Sequence, residues 1–517
     1  MTTTTRLATV SQPQPRWGKP RSWARRHRPG LAICGALLII VGAVNLWNLQ
    51  GWPGYLDDDE GTYIAQAWAV IHLHHLAPYT YWYDHPMGGW LLMAGYLWLT
   101  GGFARYPMAV MAGREFMWAI TIVSCGLLYC LARRFSLSRW ASAVAVVLFG
   151  LSPLAIYFHR MVWLDNIGTM WMLGALVVAA SPRRSVGTAI GSALLMAAAF
   201  WCKETMLLIA PAWMVIVWRG SGPRHRAFWL ALSVFATVGV AGYLLLAALR
   251  GELFAGPGHV SLIWAIKWQL FGRASSGSIF NHHSQTWGLA KLWYHQDPWL
   301  VAGGLTAAAA ASFIRRLWPV VLAVAIQILV LIHGGYTPYA FIIAALPFLV
   351  LAVAGVLDTL WRSPHRTATK YLGRGLALTS AACFVAVIAP SWARSMVSDS
   401  RVSGQAATMA AEQWVELHVP AGDVVALNDY MWVDLRTHSK VHPLWVWKID
   451  LDPWVMTHVL PHGWKSINYV VWTPGPTGLS PGELPTLAQA LRHGAVVKQF
   501  GSSANPDRLI QIYEVKQ

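Results

Sequence analysis

Long apolar segments recur along most of this chain, and they constrain its fold more than any other feature. Apolar residues make up 56% of the 517 residues, charged residues only 12%, and the mean hydropathy is +0.43. A soluble protein carries about twice that charged fraction, so the composition predicts a polytopic membrane protein. Eleven helices that cross about 30 Å of hydrocarbon are expected. Their segments are 31–49, 108–131, 140–158, 164–180, 187–202, 205–218, 227–249, 298–314, 317–332, 338–360 and 372–393.

The basic residues predict the orientation, because Lys and Arg gather on the cytoplasmic side. If the further apolar segment 87–101 lies in the interface, the cytoplasmic segments hold 21 of the 39 Lys and Arg residues and no Asp or Glu. Those segments are 1–30, 132–139, 181–186, 219–226, 315–316 and 361–374. If 87–101 crossed, the later basic turns would face outward. We therefore expect an interfacial helix there, in the first outer loop.

The formal net charge of +17 follows from these basic turns, which also meet anionic lipid head groups. Membrane lipids are therefore expected partners, and no nucleic acid is needed. Residues 1–30, rich in Thr, Pro and Arg, are predicted to form a disordered cytoplasmic tail. The apolar run from Leu31 lacks the small-residue exit of a cleaved signal peptide and is expected to remain as an anchor. The five cysteines lie in or beside apolar spans, which argues against a disulfide framework or a metal site.

The composition changes after Pro390, where basic and acidic residues become nearly equal in number. Strand-like runs at 423–427, 467–472 and 509–515 and helix-like runs near 403–418 and 484–493 predict a small α/β fold. We expect a transmembrane domain over 31–394 and an extracytoplasmic α/β domain over 395–517. The latter shows no catalytic motif, so packing or acceptor docking is its expected role.

Polar residues gather in the segments that this orientation places outside. The densest group is Asp57–Glu60, just after the first apolar segment, although four like charges also suit a solvated turn. The others are Tyr63, Asp84 and His85; His159, Arg160 and Asp165; Lys203 and Glu204; Lys267, Arg273, His282, His283 and Lys291; and His333, Tyr336 and Tyr339. Ionisable groups at the ends of spans are costly unless paired or functional. Opposite charges recurring on one side predict a cavity for a charged substrate.

The chemistry of such a cavity follows from its side chains. A carboxylate accepts a proton from a hydroxyl or amine, and Arg and Lys neutralise a departing phosphate. Together they indicate glycosyl transfer from a lipid-linked phosphate sugar at the outer interface.

The residues of the outer loops resemble those of the protein O-mannosyltransferases and lipid A aminoarabinose transferases, membrane glycosyltransferases of the GT-C fold. Asp59-Glu60 followed by Tyr63 resembles the acidic pair of the first outer loop. The resemblance implies that Asp59 is the general base and that Glu60 helps to seat the acceptor. It covers roughly residues 31–390.

Three further motifs carry the resemblance. Asp84-His85-Pro86 is similar to the family's Asp-x-His-Pro-Pro segment before an interfacial helix, and His-Arg-Met-Val-Trp-Leu-Asp over 159–165 is similar to its Ser-Arg-x-x-x-Leu-Asp turn. Lys203 resembles the basic residue near the donor phosphate. We place Asp58, Tyr63 and Asp84 on the acceptor side, and Arg160, Lys203, His85, Asp165, His333 and Tyr336 on the donor-phosphate side.

The chain also departs from the family pattern. Three consecutive Asp residues leave Asp58 as a rival base to Asp59, and Met87 replaces the second Pro. The outer loop 250–297 is too short for the β-trefoil insert of the eukaryotic enzymes, so the acceptor stays open among glycans, lipids and proteins.

Several of these residues also have structural interpretations. Arg160 and Asp165 could form an ion pair that orients two spans. Lys203 with Glu204 could be an interface anchor whose amine reaches outward. Tyr336, like other Tyr at a membrane boundary, could belong to an interfacial belt.

The sequence therefore predicts an inverting transferase that moves a monosaccharide from a polyprenyl-phosphate carrier on the outer side of the cytoplasmic membrane. The sequence indicates no particular cofactor, and a divalent metal is possible but not favoured. One alternative is a lipid or glycan transporter, which predicts ionisable groups at mid-membrane and an internal repeat. The other is a polysaccharide polymerase or ligase with a diphosphate-linked donor.

Overall fold

The computed structural model describes residues 20–222, 225–362, 367–399, 401, 405–473, 484–502 and 509–516. Within these residues the chain is mostly helical, with one small β-sheet in its C-terminal quarter. The first nine α-helices are α1 (Pro20–Leu46), α2 (Asp58–His72), α3 (Gly88–Thr100), α4 (Gly102–Arg105), α5 (Ala109–Arg134), α6 (Arg139–Leu151), α7 (Pro153–Arg160), α8 (Leu164–Ala179) and α9 (Val186–Cys202).

Ten further α-helices complete the apolar part of the chain. They are α10 (Ala210–Ser221), α11 (Arg226–Val234), α12 (Gly242–Leu249), α13 (Leu262–Lys267), α14 (Gln285–Gln296), α15 (Pro298–Ala311), α16 (Trp318–His333), α17 (Leu346–Arg362), α18 (Thr367–Cys383) and α19 (Ala389–Asp399). Short 3₁₀ or π turns extend several of them: Glu204–Ile209, Phe235–Ala241, Trp268–Gly272, Arg315–Leu317, Tyr339–Ala344 and Phe384–Ile388.

Helices occupy all eleven apolar segments predicted to span the membrane, but the number of spans is not confirmed. By length and composition, six described helical segments can each cross a bilayer alone. They are His27–Leu46, Ala109–Arg134, Arg226–Leu249, Arg315–His333, Tyr339–Arg362 and Lys370–Ser398. Helices α8, α9 and α15 are apolar but shorter. The protein is thus a multi-pass membrane protein, and a count of eleven stays a prediction.

One predicted span, 140–158, is broken between α6 and α7, whose axes differ by 59°. Pro153 is the cause, because proline disfavours helical backbone in the residue before it. Ser152 accordingly has an extended ψ of 135°, and its hydroxyl accepts a hydrogen bond from the Ala155 amide to cap α7. The bend directs the end of α7, with Arg160, into the protein interior.

Two further segments bear on the predicted topology. Helix α3 occupies the segment assigned to the interface, and its 13 residues reach only about 20 Å, less than a bilayer core. Helix α1 begins at Pro20, inside the stretch 1–30 predicted to be disordered, while residues 1–19 lie outside the described part of the chain. Proline at the start of a helix does not reduce the stability of the helix, because the N–H group that it lacks would have no hydrogen-bond partner in the first turn.

The C-terminal sheet contains β1 (Val424–Leu427), β2 (His442–Trp445), β3 (Tyr469–Trp472), β4 (Gly494–Phe500) and β5 (Ile510–Val515), in the order β2-β1-β3-β5-β4. Strand β1 is parallel to β2 and β3, whereas β5 is antiparallel to β3 and β4. Helices α20 (Ala406–His418), α21 (Asp429–His438) and α22 (Pro485–His493) accompany it, with short turns at Val446–Lys448, Val455–Val459 and Gly463–Ser466. The three predicted strands and two predicted helices are present.

Helix α21 and strands β2 and β4 were not predicted. Strand β2 has only four residues and includes Pro443, which a sheet tolerates because β2 lies at its edge. Strand β4 follows α22 without an intervening turn, and most of its residues are exposed. Neither strand has the alternating apolar and polar pattern that marks a half-buried strand in sequence.

Helix α2 joins the membrane helices to the C-terminal sheet. Gly61 lies so close to α21 that a Cβ atom there would be 2.1 Å from the Tyr430 backbone nitrogen. The rings of Trp68 on α2 and Trp432 on α21 pack edge to face, 5.5 Å apart. The position of α2 is thus fixed from the C-terminal side as well as from the membrane side.

We predict that Gly61→Ala destabilises the protein by about 1–3 kcal/mol, because the added methyl group meets backbone atoms that cannot move aside. Thermal unfolding of the purified protein in detergent measures this loss. Gly95→Ala on α3 is the matched control, since no atom lies within 4 Å of its Cβ position and Ala favours helix over Gly. Equal melting temperatures for the two variants would contradict the close packing of α2 against α21.

Candidate functional site

The acidic run forms the first turn of α2. Asp57 is the N-cap residue, and its side chain accepts a hydrogen bond of 2.9 Å from the Asp59 amide. The Glu60 carboxylate accepts a bond of 3.3 Å from the Asp57 amide, which completes a capping box. A helix N-terminus stabilises negative charge, so this position explains how four consecutive acidic residues are tolerated.

Glu60 is held in the interior by an ion pair with Arg114. The Arg114 guanidinium donates to both carboxylate oxygens, at 3.0 and 2.8 Å, and neither side chain is exposed. The Val162 amide donates to the same carboxylate at 2.9 Å, and Arg114 also donates to the carbonyls of Pro53 and Tyr55. Both Glu60 oxygens are thus in use, and this carboxylate anchors α2 where the sequence predicted a direct contact with the acceptor.

The other carboxylates of the run differ in exposure. Asp59 is exposed, whereas Asp57 and Asp58 are half-buried. Burial raises the pKa of Asp58 to about 6, and burial together with the neighbouring carboxylates raises the pKa of Asp57 well above its usual range. The Asp58 carboxylate also accepts a 3.1 Å hydrogen bond from Asn428. Asp59 is therefore the member of the run that is most open to a substrate.

Three of the residues predicted on the donor side, Lys203, His85 and Asp165, form one connected network with Glu204. Lys203 follows the last residue of α9 and donates a 2.9 Å hydrogen bond to His85 Nε2, and its amine lies 3.7 Å from the Asp165 carboxylate. His85 Nδ1 donates in turn to Glu204 at 3.0 Å. The Tyr63 ring packs 5.9 Å from the His85 ring. Lys203 and Asp165 are buried.

Arg160 lies apart from this network. Its guanidinium donates to the carbonyls of Val44, Trp47 and Trp52 at 2.8 to 3.1 Å, and it stacks over the Trp52 ring. It is 3% exposed and forms no pair with Asp165, whose partner is Lys203. Arg160 thus holds the C-terminal end of α1 and the turn after it, because those carbonyls have no helical partners. Neither the predicted phosphate contact nor the alternative pair with Asp165 matches this position.

Tyr336 has a cationic partner that the sequence did not single out. Arg273 donates a 2.6 Å hydrogen bond to the Tyr336 hydroxyl and another to Gln269. Within the described residues no carboxylate lies within ion-pair distance of Arg273. Burial raises the pKa of Tyr336, Asp59 raises it further, and Arg273 and Lys203 lower it. These charges therefore share one region of the protein. His333 is exposed at the end of α16.

Asp84 faces the C-terminal segment. Its Oδ1 atom is buried and accepts no hydrogen bond from the described residues. Lys448 lies nearby, with its amine 3.3 Å from the centre of the Trp82 ring. Burial lowers the pKa of Lys448 to about 8, against the opposing effect of Asp452, Asp84 and Asp429.

Sequence reasoning assigned no role in the site to Arg114, Arg273, Asn428, Asp429 or Lys448. Arg273 had a usable signal, since it stands among the polar residues of the predicted outer loops. The others had none, because their partners are far away in the sequence. Among the described residues, no group of three or more His, Cys, Asp or Glu side chains is placed to hold a metal ion.

We predict that Arg114→Met destabilises the protein by about 3–5 kcal/mol, because the Glu60 carboxylate is left buried without its partner. Urea or thermal unfolding in detergent measures the change. Arg105→Met is the control: it breaks the solvent-screened Arg105–Glu115 pair, which should change stability much less. A loss for Arg114→Met no larger than that of the control would show that the buried pair does not anchor α2.

Comparison with solved structures identifies the fold. ArnT from Cupriavidus metallidurans bound to undecaprenyl phosphate superposes with a TM-score of 0.55 and 16% identity, over 93% of this chain and 97% of that one. The Archaeoglobus fulgidus oligosaccharyltransferase tethered to an acceptor peptide superposes with a TM-score of 0.53 and 12% identity, over 96% of this chain and 75% of that one. The same archaeal protein with an inhibitory peptide and a dolichol-phosphate superposes with a TM-score of 0.51 and 12% identity, over 87% of this chain and 70% of that one.

No family model and no curated protein sequence matches the chain. The solved structures, however, are GT-C glycosyltransferases, and they cover nearly all of it. The predicted GT-C resemblance is confirmed at the level of the fold: this chain has the architecture of the GT-C membrane glycosyltransferases.

Proposed function

We propose that this protein is an inverting glycosyltransferase that moves a monosaccharide from a polyprenyl-phosphate carrier to an acceptor on the outer side of the cytoplasmic membrane. The observation that carries the proposal is the exposed carboxylate of Asp59 on a rigidly held helix start, in electrostatic range of Lys203 and Tyr336. An inverting transfer requires a base on one face of the reacting carbon and a cationic phosphate site on the opposite face, within one cavity. The C-terminal segment, 395–517, faces the same side in this proposal.

Asp59 is the proposed base. The acceptor hydroxyl or amine attacks the anomeric carbon on the face opposite the phosphate, and Asp59 takes the acceptor's proton as the new bond forms. The bond from the anomeric carbon to the phosphate oxygen breaks, and polyprenyl phosphate leaves with the electron pair. A single displacement of this kind inverts the configuration. Glu60 and Arg114 act indirectly, because they fix the helix turn that carries Asp59.

Lys203, Arg273 and Tyr336 are the proposed donor-phosphate site. Charge develops on the phosphate as it departs, and fixed cations stabilise that charge more in the transition state than in the ground state. Arg273 is the better candidate for direct contact, since its described partners, Tyr336 and Gln269, are neutral. Lys203 has His85 and Asp165 as partners, which hold the amine in place. Arg160, at the end of α7, holds the end of α1 instead of contacting the phosphate.

Two of the similar structures support a lipid-linked donor, since one contains undecaprenyl phosphate and the other a dolichol-phosphate. The proposal leaves the acceptor class and the sugar open.

A transporter requires ionisable groups at mid-membrane. The described network instead lies at the ends of α2, α9 and the loop before α3, beside the C-terminal sheet. The geometry thus favours chemistry at one membrane surface over a pathway through the bilayer.

We predict that Asp59→Asn lowers transfer by about 10²–10⁴-fold, the usual contribution of a general base. Purified protein is incubated with a panel of radiolabelled polyprenyl-phosphate sugars and membrane extract. Glu416→Gln, which alters an exposed acid on α20, is the control and keeps full activity. If Asp58→Asn abolished transfer while Asp59→Asn retained it, the base would be Asp58.

We further predict different defects for two arginine variants. Arg273→Gln lowers kcat by about 10²–10³-fold with normal thermal stability, because it removes a donor to the leaving phosphate. Arg160→Gln mainly lowers the melting temperature, because three backbone carbonyls lose their partner. Transfer assays and unfolding curves of both variants check this. If the Arg160→Gln variant were stable but inactive, Arg160 would instead be assigned to the donor-phosphate site.

A further inference from the structure

The starts of two helices meet at the acidic turn, although they are far apart in sequence. Asn428 and Asp429 begin α21, and they lie against the first turn of α2. Asn428 is 1% exposed and Asp429 is 2% exposed. Because Gly61 brings the two backbones together, neither side chain can shift without moving both helices. The C-terminal segment is therefore part of the wall around the acidic turn.

Two side-chain hydrogen bonds join α2 to α21, one on each side of Asp59 in the sequence. The Asn428 side-chain amide donates to the Asp58 carboxylate at 3.1 Å. The Thr62 hydroxyl donates to the Asp429 carboxylate. The bonds hold positions 58 and 62, which are neighbours on one face of a helix. The Asp59 side chain between them is left exposed and without a partner from α21.

The junction also brings like charges together. The charged and titratable groups that face Asp429 are Asp58 and Asp59 of α2, Lys448 and Tyr430 of the C-terminal segment, and Tyr79 of the first outer loop. Burial raises the pKa of Asp429 well above its usual range, and Asp58 raises it further, while the Thr62 bond and Lys448 lower it. Burial and the neighbouring Asp58 thus both favour the protonated form of Asp429, for which Asn is a close substitute.

The bonds across the junction could in principle serve only to attach the C-terminal segment. Other contacts, however, already attach the C-terminal segment to the first outer loop. Asp452 accepts hydrogen bonds from Thr80 and Trp82, and Tyr79 donates one to the Pro443 carbonyl. These hold the segment to the first outer loop without touching α2. The bonds of Asn428 and Asp429 go to the acidic turn itself.

We propose that Asn428 and Asp429 are positioning residues for the acidic turn: they hold the first turn of α2 in the geometry in which Asp59 acts on the acceptor. The catalytic role of Asp59 in this statement rests on the proposed function, whereas the positioning of α2 does not. The C-terminal segment thereby becomes a required part of the active centre instead of a separate docking module.

Hydrogen exchange in the full-length protein tests the positioning without any assay of activity. The reporters are the amides of Glu60 and Gly61, which donate to the Asp57 carbonyl at 3.1 and 3.4 Å. In Asn428→Ala and Asp429→Ala these amides should exchange at least about 10-fold faster, since the bond that restrains the turn is lost. Asp429→Asn keeps the acceptor for Thr62 and should exchange like the wild type.

Asn468→Ala is the matched control for these variants. Asn468 accepts a hydrogen bond from the Val424 amide inside the C-terminal sheet, so the control disturbs that segment without touching α2. It should leave exchange in the first turn of α2 unchanged. The proposal is wrong if these amides exchange as slowly in Asn428→Ala and Asp429→Ala as in the wild type. It is also wrong if they exchange as fast in Asn468→Ala as in the other two Ala variants.

Transfer kinetics add the catalytic readout. Asn428→Ala and Asp429→Ala should lower kcat by at least about 10-fold with little change in the KM for the donor, because the phosphate site is elsewhere. Asp429→Asn should keep the kcat of the wild type, because the amide oxygen still accepts the hydrogen bond from Thr62. Unchanged kcat in the Ala variants would overturn the role in positioning Asp59. Faster exchange without transfer in any form of the protein would support the positioning and refute the proposed reaction.

Discussion

The buried ion pair of Glu60 and Arg114 is the interaction on which the site depends. It joins α2 to α5 and, through the Val162 amide, to the turn before α8. Arg114 also secures the turn after α1 through two carbonyls. Because a buried carboxylate needs every one of these partners, the pair allows few alternative positions for α2. The acidic turn is therefore rigid although it lies at a surface and carries four acids.

The remaining cations of the site divide into structural and available groups. Arg160 donates its hydrogen bonds to backbone carbonyls at the end of α1. Lys203 is held between Asp165 and His85, whereas the described partners of Arg273 are neutral. Such a division is typical of a pre-organised site, in which some charges fix the frame and others are left to meet a ligand. It also explains why an arginine in a motif need not be the one that touches phosphate.

Local patterns in the sequence were enough to predict the class of fold and the grouping of many site residues. The positive-inside rule placed Asp59, His85 and Lys203 in outer turns, and the structure brings these turns together. The partners of Glu60 and Arg160 could not be predicted, because an arginine within an apolar helix and a set of free carbonyls leave no pattern. The same holds for Asn428, which meets Asp58 across 370 residues.

That separation has a consequence for how the protein matures. A contact between residues so far apart forms only after α21 has been synthesised, and its loop-closure entropy must be overcome first. The membrane helices can insert and pack earlier, with α2 already anchored by Arg114. The acidic turn, however, lacks its second support until α21 has folded against Gly61. During synthesis the four acids therefore stand on an anchored helix whose first turn still lacks its contacts with α21.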